Sequence, residues 1–133
     1  KKSLKNLVEI SHKKNKGVIS LCHMSAPEAK ASYELEIENR LKKQQLYQLF
    51  LNWAITGNVD GIIVGATYPK IISYCKKSIH GKLSIFSPGV GTQGGSASKA
   101  KKLGSDYLIV GRTILNSKHP VQTAKDLLAD TLI

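Results

Sequence analysis

The chain is short of acid. Nine of its 133 residues are Asp or Glu, against 20 Lys or Arg, for a formal net charge of +11. It is also short of arginine, with only Arg40 and Arg112 among those 20 cations. The lysines are scattered along the chain, as at Lys13-Lys14, Lys42-Lys43, Lys76-Lys77 and Lys101-Lys102. Nucleic-acid readers cluster their cations, favour arginine and interleave aromatics. Aromatic residues are 6% here, so the pattern reads as a solvated lysine surface and no nucleic-acid partner is expected. The positive potential still attracts anionic small molecules. Cysteine is scarce too: Cys22 and Cys75 stand far apart in apolar surroundings, with neither C-x-x-C nor zinc spacing. They are expected to be buried free thiols in a reducing cytoplasm. No metal site is expected, since His12, His23, His80 and His119 have no ligand-like spacing. No apolar run reaches the roughly 20 residues of a membrane span. No signal-peptide pattern opens the sequence, so a cytoplasmic location without membrane contact is expected.

What is present is an alternation of short apolar runs with amphipathic stretches. Residues Leu4 to His12 place Leu4, Leu7, Val8 and Ser11 on one helical face. Apolar runs at Val18 to Met24, Val59 to Val64, Leu83 to Phe86 and Asp106 to Val110 read as strands. Pro27 to Thr56 reads as one long helical region, with Ile37, Leu41, Leu46, Leu49, Phe50 and Trp53 as its stripe and Phe50 and Trp53 in the core. Helices are also expected over Pro69 to Ser78, Ser96 to Leu103, Thr113 to Asn116 and Pro120 to Leu132. Strands that are apolar throughout point to a parallel sheet covered by helices. The fold class is therefore α/β, one helix followed by four strand–helix units, with no linker dividing residues 1–133.

The most informative stretch follows the third strand. Ser87-Pro88-Gly89-Val90-Gly91-Thr92-Gln93-Gly94-Gly95 packs four glycines around a glutamine. Bare backbone can approach an anion closely and aim N–H groups at it. The fourth strand ends in Gly111-Arg112-Thr113, and arginine offers a planar fork to phosphate. In a parallel barrel, ligands bind at the C-terminal strand ends. The other two ends deliver His23-Met24-Ser25 and Gly65-Ala66-Thr67. Ser25 reads equally well as a helix N-cap or a ligand contact, and His23, on the opposite strand face, reads as structural.

These residues resemble a known family. SPGVGTQGG followed by YLIVGRTI is similar to the SPGVGAQGG and IIVGRSI of archaeal-type orotidine 5′-phosphate decarboxylase. CHMSAPEA resembles that family's M-S-H-P-G-A segment, and VGATYP its VGATRP segment. Tyr68 stands where arginine is common, Ser96 where aspartate is, Ala26 where histidine is and Glu28 where glycine is. The resemblance implies that the chain supplies the C-terminal four strand–helix units of a TIM (β/α)8 barrel. It implies a phosphate clamp at Arg112 and the Gly111 N–H. It implies that Gln93 bridges phosphate and pyrimidine, that Ser25 binds the base, and that Pro88, Gly89, Val90, Gly91, Thr92, Gln93, Gly94 and Gly95 form a loop over the nucleotide. It further implies conversion of orotidine 5′-phosphate to uridine 5′-phosphate without cofactor, in a homodimer.

The family's Lys/Asp array, D-x-K-x-x-D, does not occur here. The only aspartates are Asp60, Asp106, Asp126 and Asp130. No catalytic residue is therefore assigned to this chain, and the N-terminal half of the barrel is expected outside it. At 133 residues the chain is about half the roughly 250 of a complete barrel. Two alternatives stand beside this reading: a non-catalytic nucleotide-phosphate-binding half-barrel, and a related sugar-phosphate enzyme such as a hexulose-phosphate synthase.

Overall fold

A computed structural model describes residues 2–39 and 42–132. The chain opens with α1 (Lys2–Lys13) and β1 (Ile19–His23), followed by a short α2 (Ala29–Tyr33). A hairpin comes next, β2 (Glu36–Asn39) and β3 (Lys42–Gln45), and leads into α3 (Leu46–Gly57). The remainder alternates: β4 (Gly61–Val64), α4 (Pro69–Ile79), β5 (Ser84–Pro88), α5 (Ala97–Lys102), β6 (Tyr107–Ile109), α6 (Arg112–Leu115) and α7 (Pro120–Ala129). Strands β1, β4, β5 and β6 lie side by side in that order, every pair parallel. The four expected strands are all there, and so are the expected helices apart from the one over Pro27 to Thr56, with ends shifted by at most three residues.

The local signals explain the ends. Asn15, Asn58 and His80 take left-handed backbone angles (φ 54°, 57° and 47°) and stop α1, α3 and α4. Pro69 opens α4, where its missing N–H would have had no partner. The Ser96 hydroxyl accepts from Lys99 N at 3.2 Å and starts α5.

The long helix expected over Pro27 to Thr56 is broken in the middle. Only α2 and α3 are helical, and the tract between them pairs antiparallel, Glu36 with Gln45 and Glu38 with Lys43. Leu35-Glu36-Ile37-Glu38 alternates apolar and acidic with period two, and Glu38 faces Lys43 with opposite charge. The helix-favouring Glu, Lys, Leu and Gln content masked that alternation. Leu46 N donates to Leu35 O at 2.9 Å and closes the hairpin base. A capping box between Gln45 and Gln48 then starts α3. Leu41 lies outside the described residues. Phe50 and Trp53 pack on each other, ring centroids 5.6 Å apart, but are half-buried rather than part of the main core.

The sheet has two unlike faces. Cys22, Ile62, Val64, Ile85 and Ser87 are fully buried on the helix side. Above them α3 presents Leu51 and Ala54, and α4 presents Ile71, Ile72, Cys75 and Ile79 at helical spacing. Each fully buried isoleucine contributes about 1.5–3 kcal/mol. The opposite face carries Ile19, Leu21, Ile63, Phe86, Tyr107 and Ile109 at alternate positions, with Leu21 paired to Ile63 and Phe86 to both Ile63 and Tyr107. Here Leu21, Tyr107 and Ile109 are 42%, 56% and 47% exposed. Helices cover one face, not both, and β1 and β6 each leave an unpaired edge among the described residues.

At the N-terminal ends of the strands, Asp60 ties three segments together. Its carboxylate accepts from Val18 N at 2.6 Å and from His12 Nε2 at 3.0 Å. The hydrogen bond from Val18, then that from His12, holds the Asp60 carboxyl below the usual carboxylate range. Its stabilising contribution is complete above the ordinary aspartate pKa of about 3.9 and disappears as pH falls through the lowered folded value. Asp60→Asn should therefore lower stability at neutral pH and flatten its fall below about pH 4. Urea melts from pH 7 to pH 2 check this, and parallel curves for both proteins contradict it. The exposed sheet face predicts that the chain produced by itself associates increasingly with concentration. Leu21→Lys with Ile109→Lys should suppress that association in sedimentation velocity, and a monomer at every concentration would contradict it.

Candidate functional site

The C-terminal ends of β5 and β6 meet around a small cleft of about 220 Å³, lined by Pro88, Gly89, Val90, Thr92, Gln93, Ile109, Gly111, Arg112 and Thr113. Most of the residues marked out in the sequence are therefore its walls. Gly91, Gly94 and Gly95 shape the loop without lining the cleft. Gly95 N donates to Gly89 O at 3.0 Å, Gly91 N to Gly95 O at 2.9 Å, and Gly94 N to Gly91 O at 2.7 Å. Thr92 N donates to Thr113 Oγ1 at 3.0 Å. Four loop amides are thus engaged inside the protein, where the sequence suggested bare donors. Among the side chains that line the cleft, those with nitrogen donors for an incoming anion are Arg112 and Gln93. Arg112 is exposed, and no side chain among the described residues pairs with its guanidinium.

Ser25 follows β1, two strands away from β5, yet touches this loop. Its hydroxyl donates to Gln93 Oε1 at 2.9 Å. That bond leaves both Gln93 N–H donors unused by Ser25, so one amide can serve the serine and a ligand together. The N-cap of α2 is Glu28, so Ser25 does not cap that helix, and its hydroxyl is aimed at the loop.

Two glycines make this meeting possible. A Cβ on Gly89, whose φ is +93°, would lie 2.7 Å from Ser25 Cβ and 2.9 Å from Gln93 Oε1. A Cβ on Gly65 would lie 2.5 Å from Ser25 Cα and 2.7 Å from Met24 O. Any other residue at either place would push the β1 end out of contact.

Thr113 is named in the motif only as part of the strand end, with no role of its own. Its hydroxyl donates to Val90 O at 2.9 Å, accepts from Thr92 N, and lies 2.9 Å from Thr92 Oγ1. It latches the glycine loop to the β6 end that carries Arg112. Its place directly after Gly111-Arg112 was the available signal. Thr67 and Tyr68 likewise carry no assigned role in the sequence reading. Thr67 Oγ1 donates to Ser25 O at 2.9 Å, and the Tyr68 hydroxyl to Ala26 O at 2.9 Å.

Behind the site His23 is fully buried, ringed by Tyr33, Tyr47 and Tyr68 with centroids 5.3, 6.0 and 4.3 Å away. Burial lowers its pKa, against smaller raising effects from the Met24 carbonyl and Glu34. Nδ1–H donates to Met24 O at 2.8 Å, while Nε2 has no hydrogen-bond partner among the described residues and lies 3.7 Å from Glu34 Oε1. Burial pushes the Tyr47 hydroxyl up to about 12. Cys22 and Cys75 are free and buried, as expected, and the contact with Cys75 and burial raise the Cys22 thiol well above its usual range. These groups pack behind the site.

A roomier groove of about 390 Å³ lies between β6 and α7, walled by Leu108, Val110, Ile114, Leu127 and Leu128. Its charged members are already engaged. Lys101 Nζ donates to Asp106 O at 2.9 Å, and the Asp106 carboxylate takes Lys76 Nζ and Ile85 N, each at 2.8 Å. The smaller cleft is the chemically equipped one. No cluster of three His, Cys, Asp or Glu suited to a metal occurs among the described residues. None of their helices is long and apolar enough to cross a membrane.

Known proteins share this architecture and sequence. Orotidine 5′-phosphate decarboxylase of Methanococcoides burtonii is 43% identical over 74 residues, which is 56% of this chain and 34% of that protein. The Pyrococcus furiosus protein of the same name is 33% identical over 113 residues, 85% of this chain and 49% of that one. The crystal structure of the Methanocaldococcus jannaschii enzyme complexed with inhibitor BMP superposes with a TM-score of 0.81 at 28% identity. The match covers 98% of this chain and 56% of that structure. The chain thus spans about half or less of the length of these relatives, and its sheet is part of their (β/α)8 barrel. The model of the orotidine 5′-phosphate decarboxylase / HUMPS family matches residues 1–127, and the chain belongs to that family.

Proposed function

We propose that this chain carries the phosphate site and part of the base site of an orotidine 5′-phosphate decarboxylase. The observation that carries the reading is the Ser25–Gln93 hydrogen bond beside the Arg112 cleft. It joins a base-side residue and a phosphate-side residue through one amide, an arrangement suited to a nucleotide rather than a bare sugar phosphate. In this reading Arg112 and the Gly111 N–H hold the 5′-phosphate, and Gln93 spans phosphate and pyrimidine. Ser25 addresses the base, and Pro88 to Gly95 cover the nucleotide. Two positive-φ glycines beside Gln93, Gly91 and Gly94, allow such a loop to open and close.

The groups that break the carbon–carbon bond belong, in this proposal, to the other four strand–helix units. Asp60 and Asp106 precede their strands, at the end of the sheet away from the cleft, and each is held by its own partners. Asp126 accepts from Gln122 on α7 at 2.7 Å. Decarboxylation leaves an electron pair on the pyrimidine carbon as carbon dioxide departs, and a buried lysine in those units would stabilise it and donate the proton. The exposed row from Leu21 to Ile109 and the open β1 and β6 edges are the surfaces such units would cover. Residues 1–133 then form one partial barrel domain of a cytoplasmic homodimer that needs no metal or cofactor.

The complete protein should convert orotidine 5′-phosphate to uridine 5′-phosphate, followed by the change in pyrimidine absorbance. A complete protein that is folded but inactive on this substrate would refute the assignment. Arg112→Ala should weaken uridine 5′-phosphate binding by about 2–4 kcal/mol, the scale for removing one partner of a charged pair. Uridine itself should lose little. Calorimetric titration of both ligands measures this, and equal losses contradict the clamp.

A further inference from the structure

We propose that Tyr68 is a positioning residue for the nucleotide site: its hydroxyl holds the segment after β1 so that Ser25 meets Gln93. The proposal rests on the functional reading above. Beyond the end of a strand, carbonyls lose their ladder partners and need others. Four successive carbonyls after β1 are met by side chains. His23 Nδ1–H donates to Met24 O at 2.8 Å, and Thr67 Oγ1 to Ser25 O at 2.9 Å. The single proton of the Tyr68 hydroxyl faces Ala26 O at 2.9 Å and Pro27 O at 3.2 Å.

The anchors come mainly from another strand end. Thr67 and Tyr68 sit between β4 and α4, and Pro69, the first residue of α4, restricts the residue before it. Tyr68 accordingly has non-helical angles, φ −117° and ψ 67°. Its ring lies 4.3 Å from the buried His23 ring, which limits where the hydroxyl can point. Local backbone bonds reach the last two carbonyls as well, Ala29 N to Ala26 O at 3.0 Å and Lys30 N to Pro27 O at 3.5 Å, but α2 has only five residues and its N-cap makes no side-chain hydrogen bond. The Tyr68 hydroxyl adds the tie that fixes this segment to the neighbouring strand end.

Tyr68→Phe tests this, because it removes the hydroxyl and keeps the ring against His23. One hydrogen bond of about 1 kcal/mol corresponds to roughly a fivefold change in affinity. Affinity for uridine 5′-phosphate should fall by about that factor, while affinity for ribose 5-phosphate, which lacks the base, stays within about twofold. Equal losses for both ligands, or no loss for either, overturn the positioning role. If the unsubstituted protein binds neither ligand, the functional reading fails, and the positioning claim is then decided in the free protein. Ser25→Ala marks the NMR position of the Gln93 side-chain amide with the contact broken. Tyr68→Phe should move those signals toward that position, and unmoved signals overturn the proposal.

Discussion

The site depends on backbone from three strands coming closer than side chains would allow. Gly65 lets the β4 end press on the Ser25 backbone, and Gly89 lets the β5 end pass beside the Ser25 side chain. Only with both in place can Ser25, from the first strand, donate to Gln93 on the loop after the third. Thr113 then ties that loop to the fourth strand end, where Arg112 stands. Each link is one hydrogen bond of modest strength. Their joint geometry fixes a cleft that no single strand end could form.

The two ends of the sheet divide the polar residues by task. At the N-terminal ends, Asp60 and Asp106 satisfy the Val18 and Ile85 amides and pair with His12 and Lys76. At the C-terminal ends the charged group that lines the cleft is Arg112. In a chain so poor in acid this separation matters electrostatically. Carboxylates beside the cleft would oppose an anionic ligand, and the acids that brace the strands stand at the far end.

Much of the fold was legible in the sequence because strong local signals agreed. Short apolar runs, a first-turn proline at α4 and left-handed stops at Asn15, Asn58 and His80 marked the strand–helix alternation. The β2–β3 hairpin was not legible, since four-residue strands of Glu, Lys and Gln carry little β signal and their pairing is a tertiary event. The uncovered sheet face follows from the half-barrel reading and not from the strand runs themselves. Apolar residues at every strand position look alike whether helices cover one side or two.

The sequence by itself determined the chemical inventory: a glycine-rich loop around Gln93, a Gly111-Arg112 pair at a strand end, and a serine after an apolar run. Glycine, arginine and glutamine have properties that no neighbour supplies, so their spacing carried meaning before any fold was known. Only the tertiary structure decided how they act together. It turned Ser25 from a possible helix cap to a partner of Gln93, and engaged four loop amides internally. It gave Thr67, Tyr68, His23 and Thr113 their tasks as anchors. The reason is physical: a hydrogen bond between residues distant in the chain exists only once packing has fixed both ends, and no local pattern records it.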